Sequence, residues 1–145
     1  MSWVHGDAAL ALHDGELRWS QLLAVADAVA LPPATDTLVL ACSSRSSFVI
    51  GAMLAWSRGL RLVLPANLRP ATIAGLASPR ACVLDDAALS RVATDATADL
   101  SRIGSPDLEL YTSGSTAAPQ AVRKAGGELL REAEALIDAL ALGPH

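Results

Sequence analysis

The sequence predicts an α/β domain in which a mainly parallel sheet carries helices on both faces. Short, continuous apolar runs of strand length recur along the chain, as expected for strands buried in a parallel sheet. Segments with helical spacing of apolar residues lie between them, and the connections are short. The predicted strands cover residues 37–42, 60–65, 81–84 and 108–111.

The first elements are defined by turn and cap residues. Two short runs flank His13, Asp14 and Gly15, and Asp-Gly is a strong signal for a tight hairpin turn. Ser20 is a candidate cap for a helix that reaches about residue 30 and stops before two prolines. The next helix is predicted over residues 47–58, with Gly59 ending it.

The later elements follow the same logic. Pro70 suits the first turn of a short helix. Asp85 or Asp86 is expected to cap the segment after the 81–84 strand. Residues 91–106 predict an irregular or partly helical connection, and residues 127–142 predict an amphipathic helix. Its apolar stripe consists of Leu129, Leu130, Ala133, Leu136, Ile137 and Leu140.

Composition narrows the class of protein. The 145 residues make one domain, or one piece of a larger domain. A net charge of −4 with scattered basic residues argues against a nucleic-acid partner. The longest apolar run, residues 48–56, falls short of the ~20 residues of a membrane span. No signal peptide is evident, so a cytoplasmic location is predicted. No metal site is predicted, because the cysteines and histidines lack ligand spacing.

A hydroxyl-rich loop follows the last predicted strand. Thr112, Ser113, Ser115 and Thr116 surround Gly114. Ligands of parallel sheets bind beyond the carboxyl ends of the strands, where backbone N–H groups and hydroxyls suit a polyphosphate. The same residue types also make ordinary surface turns, so composition leaves both interpretations open. The loop is not a P-loop, because no Gly-Lys-Ser/Thr follows the glycine at the required spacing.

The stretch YTSGSTAAPQAV, residues 111–122, resembles the phosphate-binding signature of the adenylate-forming superfamily. This superfamily includes acyl-CoA synthetases, acyl- and aryl-AMP ligases, and the adenylation domains of peptide synthetases. Its signature runs Tyr/Phe-Thr-Ser-Gly-Ser/Thr-Thr-Gly-x-Pro-Lys-Gly-Val, which residues 111–116, Pro119 and Val122 match. Residues 17–23 and 37–70 are also similar to early stretches of the family in the same order, so the resemblance covers essentially the whole chain.

The resemblance implies a fold and an activity. The fold would be the first part of the large N-terminal domain of adenylate-forming enzymes. These enzymes join a carboxylic acid to ATP, giving an acyl-adenylate and pyrophosphate. The cofactors implied are ATP and Mg²⁺, with the β and γ phosphates held by Thr112, Ser113, Gly114, Ser115 and Thr116.

Three positions depart from the family signature. Ala117 and Ala121 replace glycines, and Gln120 replaces a lysine. Loss of the lysine removes a charge beside the polyphosphate, which weakens the expected ATP contact. Arg123 or Lys124 could supply a substitute charge; otherwise both are exposed charges that open the last helix.

The chain is shorter than members of the family and lacks their later motifs. It therefore resembles an N-terminal portion, which we expect not to form an adenylate alone and to self-associate through exposed apolar surface. Two alternatives remain open. One is a reduced relative that acts as a non-catalytic binding module, and the other is an unrelated α/β domain. The acid substrate is not identified by these residues.

Overall fold

A computed structural model describes residues 9–12, 15–90, 96–104, 107–112 and 119–140. A two-stranded hairpin precedes a five-stranded sheet. The strands are β1 (Ala9–Leu12), β2 (Gly15–Arg18), β3 (Thr37–Ala41), β4 (Arg61–Leu64), β5 (Ala81–Asp85), β6 (Leu108–Thr112) and β7 (Gln120–Lys124). The helices are α1 (Trp19–Ala28), α2 (Arg45–Ser57), α3 (Pro70–Ala74), α4 (Asp86–Ser90) and α5 (Gly126–Ala139), with a 3₁₀ turn at Leu100–Arg102.

The larger sheet confirms the predicted α/β fold. Its strand order is β5-β3-β4-β6-β7. The first four strands are parallel to their neighbours, and only β7 runs antiparallel, against β6. Right-handed crossovers place α2 on one face and the return from β4 to β5 on the other. Residues 75–78, which follow α3, accordingly line a cavity with Val39 and Val63.

The core lies between the sheet and helices α1 and α2. Leucines on alternate positions of the strands meet the buried faces of both helices. In the middle of α2, a Cβ added to Gly51 would lie 2.4 Å from Leu40 Cδ2, so glycine allows the helix to approach β3 closely. The largest of the fully buried side chains are those of Leu22, Leu23, Leu38, Val39, Met53, Leu54, Leu62 and Leu89.

Two helix starts differ from the prediction. Helix α1 begins at Trp19, and Arg18 is its N-cap residue. Ser20 was the wrong cap because it is buried in the first turn, while the Arg18 N–H donates to Gln21 Oε1 at 2.8 Å. Helix α2 begins at residue 45, two residues early, because the Ser44 hydroxyl accepts a hydrogen bond from the Ser47 N–H.

The largest difference concerns residues 120–124. Residues 120–122 were predicted to belong to the phosphate-binding loop, and Arg123 and Lys124 either to bind phosphate or to be exposed charges that open the last helix. Residues 120–124 instead form β7, with five consecutive pairs to β6. Helix α5 runs from Gly126 to Ala139, close to the predicted 127–142. The turn at residues 13–14 and the chain end at 141–145 lie outside the described residues, whereas the β1–β2 pairing confirms the predicted hairpin. In the described part of the chain, the helices are too short or too polar to cross a membrane.

Candidate functional site at the carboxyl edge of the sheet

The hydroxyl-rich loop follows the carboxyl end of β6. Strand β6 ends at Thr112 and β7 begins at Gln120, so residues 113–118 lie in the connection between them. Because β6 is parallel to β4, this connection starts at the edge where β3, β4 and β5 also end. Of the five predicted phosphate ligands in the loop, only Thr112 is described. Ser113, Gly114, Ser115 and Thr116 lie outside the described residues, as does Ala117.

The base of the loop is closed by strand pairing. Thr112 pairs with Gln120, and the Thr112 hydroxyl donates to the Gln120 carbonyl oxygen at 3.4 Å. Both side chains are exposed. The five antiparallel pairs of β6 and β7 therefore form a stem, which fixes the position of the two ends of the loop.

The neighbouring strands form a switch point at this edge. The chain leaves β3 towards α2 and leaves β4 towards α3, on opposite faces of the sheet. Diverging connections open a crevice outside the carboxyl ends of the two strands, which is the usual ligand position in such sheets. Strand β6 is the next neighbour of β4, so the hydroxyl-rich loop begins beside this crevice.

Asp86 accepts hydrogen bonds from the backbone N–H groups of the residues that follow β3. Its carboxylate accepts from the Ser43 N–H at 3.0 Å, the Ser43 hydroxyl at 2.9 Å and the Ser44 N–H at 3.1 Å. The hydrogen bond from the Ser43 backbone is the main cause that lowers the pKa of Asp86 to about 2. These donors therefore already bind an internal anion. The predicted helix cap is Asp85, whose carboxylate accepts from the Ala88 N–H at 2.7 Å.

Lys124 does not lie at the loop. It pairs with Leu108 at the start of β6, four residues and roughly 13 Å of strand away from Gln120. Its ammonium binds the carboxylate of Glu132 in α5. Both the position and the ion pair of the side chain weigh against the predicted contact between Lys124 and phosphate, which stays a prediction.

Arg123 is also held away from the loop. Its Nε atom lies 2.7 Å from Oε2 of Glu109, a residue with only 5% of its surface exposed. The Tyr111 hydroxyl donates to the same carboxylate at 2.9 Å. Burial favours a higher pKa for Glu109, but hydrogen bonds from Arg123 and Tyr111 outweigh it and lower the pKa. The hydrogen bond that Tyr111 donates to Glu109 also raises the pKa of Tyr111, because it stabilises the protonated hydroxyl.

This Glu109 cluster was missed by the sequence analysis. The one available signal was a glutamate in the middle of an apolar strand, since an unpaired carboxylate is rarely buried. The cluster ties β7 to β6, because Glu109 and Arg123 are directly paired across the two strands. The cluster therefore holds β7, the second strand of the loop's stem, in place.

A separate cavity lies at the other end of strands β6 and β7, away from the base of the hydroxyl-rich loop. Its volume is about 490 Å³, and it opens where β6 starts and β7 ends. Its walls carry three basic and three acidic side chains, namely Arg61, Arg123, Lys124, Asp107, Glu109 and Glu128. The length of β7 separates this cavity from the hydroxyl-rich loop, so the two are different sites.

Comparisons with protein-family models, curated proteins and solved structures give no match for this chain. The architecture is thus known from the coordinates alone. In the described residues, no group of three or more His, Cys, Asp or Glu side chains could hold a metal ion. Burial raises the pKa of the Cys42 and Cys82 thiols, which opposes a role as thiolate ligands or nucleophiles.

Proposed function

We propose that the loop over residues 111–122 binds the β and γ phosphates of Mg-bound ATP. The chain would then be the N-terminal part of an AMP-forming acid ligase, which converts a carboxylic acid and ATP into an acyl-adenylate and pyrophosphate. One observation carries this proposal. The hydroxyl-rich loop starts at the carboxyl edge of the sheet, beside the crevice between β3 and β4.

The hydrogen-bond donors of the loop suit a polyphosphate that is bound largely without lysine or arginine side chains. Arg123 and Lys124 are both engaged with carboxylates away from the loop. The backbone donors of Ser43 and Ser44 are engaged with Asp86. Hydroxyls and N–H groups of the loop would then solvate the phosphates, and Mg²⁺ would arrive as part of the nucleotide complex. A missing charge-assisted hydrogen bond is worth about 1.5–3 kcal/mol, so weak binding is expected.

The chain's contribution to the reaction would be positioning. The stem of the loop, held by the Glu109–Arg123 pair, would fix the phosphates relative to the crevice. Nothing in the loop is required to attack the nucleotide. We do not expect the 145-residue chain to complete adenylation alone.

The first prediction restores the lysine of the family signature. Gln120→Lys is expected to tighten Mg-ATP binding about tenfold or more, because it adds a cation at the base of the loop. Isothermal titration calorimetry gives the dissociation constant. Ala121→Lys is the matched control, because it adds the same charge one residue further along β7. Adjacent strand residues point to opposite faces of the sheet, so this charge lies on the other face. Equal gains in both variants, or none in Gln120→Lys, would refute binding at this loop.

A second candidate function is a non-catalytic binding module. It is favoured by Gln120 at the base of the loop, together with the engagement of both β7 cations elsewhere. Under this alternative, neither the natural chain nor Gln120→Lys binds Mg-ATP. The same titration therefore separates the two functions.

A further inference from the structure

Strand β7 is an open edge of the five-stranded sheet. Among the described residues, it pairs with β6 on one side and has no strand partner on the other. The five pairs run without a break in register, and residues 120–124 contain neither proline nor glycine. A regular edge of this kind presents unpaired backbone donors and acceptors that can template another strand.

Both cations of this edge are paired with carboxylates of the same molecule. Arg123 binds the buried Glu109, and Lys124 binds Glu132. Exposed lysines and arginines on an edge strand oppose pairing. Although the Arg123 side chain is 73% exposed, its charge is balanced by Glu109, and Val122 next to it has 41% of its surface exposed.

Helix α5 also exposes apolar side chains. Lys124, which shares one face of β7 with Val122, binds Glu132 near the middle of α5. Leu136 and Leu140 follow Glu132 at four-residue steps, so they lie on the same side of the helix. They are 60% and 63% exposed. Half of the six exposed large hydrophobic side chains among the described residues therefore belong to β7, to α5 and to Leu140, the C-cap residue of α5.

We propose that two copies of this chain pair through β7, antiparallel about Val122, to form one continuous ten-stranded sheet. This register sets each Gln120 opposite Lys124 and each Ala121 opposite Arg123, so no like charges face one another. The two-fold arrangement closes at two copies. This pairing does not depend on nucleotide binding.

The expected dimer is weak. A five-residue strand and one side of a helix about 21 Å long make an interface at the small end of the known range. The dimer should therefore form in a concentration-dependent way rather than as an obligate assembly.

Sedimentation velocity over a concentration series tests the pairing surface. The natural chain is expected to shift from monomer to dimer as concentration rises. Val122→Lys should remain monomeric, because the new charge faces its own copy across the two-fold axis. Val83→Lys is the matched control: it changes a valine of similar exposure, 39%, on β5 at the other edge of the sheet, and should dimerise normally. Circular dichroism establishes that both variants are folded.

A disulfide experiment tests the register. Val122→Cys should form a covalent dimer on mild oxidation, because directly opposed Cβ atoms lie close enough for a disulfide. Val83→Cys and the natural chain should give only background cross-linking. The proposal is overturned by a natural chain that stays monomeric throughout the series, by Val122→Lys that still dimerises, or by equal cross-linking at both positions. If the natural chain stays monomeric, the unpaired side of β7 would instead be available to an extended segment of another protein.

Discussion

Leu54→Ala is expected to lower the free energy of unfolding by about 2–5 kcal/mol. Leu54 is completely buried in α2, within the core between the sheet and helices α1 and α2. Truncation removes apolar burial and leaves a cavity that the close-packed neighbours fill only partly. Since domains of this size unfold with about 5–15 kcal/mol, this single change removes a large share of the total.

Urea unfolding followed by circular dichroism measures the effect of Leu54→Ala. Leu68→Ala is the matched control, because the same atoms are removed from a side chain that is 48% exposed. The control should change the free energy of unfolding by less than about 0.5 kcal/mol. A cost below that of the control would contradict the assignment of α2 to the core.

Asp86→Ala should cost about 2 kcal/mol, because one carboxylate accepts three hydrogen bonds from Ser43 and Ser44. The loss detaches the start of α4 from the β3–α2 connection. Asp86→Asn, which keeps the shape and one acceptor oxygen, should cost less. The comparison by urea unfolding at neutral pH separates the charge from the packing of the side chain.

The contribution of Asp86 should vanish in acid. Its folded pKa is lowered to about 2, below the usual unfolded value of about 3.9. The stabilisation is therefore complete above about pH 4 and is lost as the pH falls towards 2. The difference between the natural chain and Asp86→Asn should shrink over that range. A difference that stays constant down to pH 2 would show that the carboxylate charge does not stabilise the fold.

The parallel strands were predictable because their residues form continuous apolar runs. Examples are residues 37–42 and 81–84, and the helices between the strands have strong start and stop residues. The observed bounds of β3, β4, β5 and β6 agree with these runs to within a residue or two. A run of this kind is visible in a single sequence, even for β5, in which Leu84 is buried but Val83 is 39% exposed.

Strand β7 was not predictable for the opposite reason. Its residues 120–123 are exposed, and one valine among polar and small residues gives no alternation. The strand forms because Arg123 reaches a carboxylate on β6, a contact 14 residues away that local pattern does not encode. The same contact removes Arg123 from the predicted phosphate site.

The capping role of the acidic pair was only partly predictable. Asp85 caps α4, which is a local interaction between residues three apart. Asp86 instead bonds to Ser43 and Ser44, more than 40 positions earlier in the chain. This pairing arises because β3 and β5 are neighbours in the sheet, which becomes apparent only after the strand order is known.

Paramagnetic NMR with Mn-ATP in place of Mg-ATP tests the central claim most directly. If the loop after β6 holds the phosphates, the relaxation enhancement of backbone amides within the β6–β7 stem should be largest at Thr112 and Gln120. It should fall steadily along the stem towards Leu108 and Lys124, roughly 13 Å away. An enhancement that is largest at Leu108 and Lys124, or one that is absent at nucleotide concentrations where calorimetry detects binding, would contradict a phosphate site at this loop.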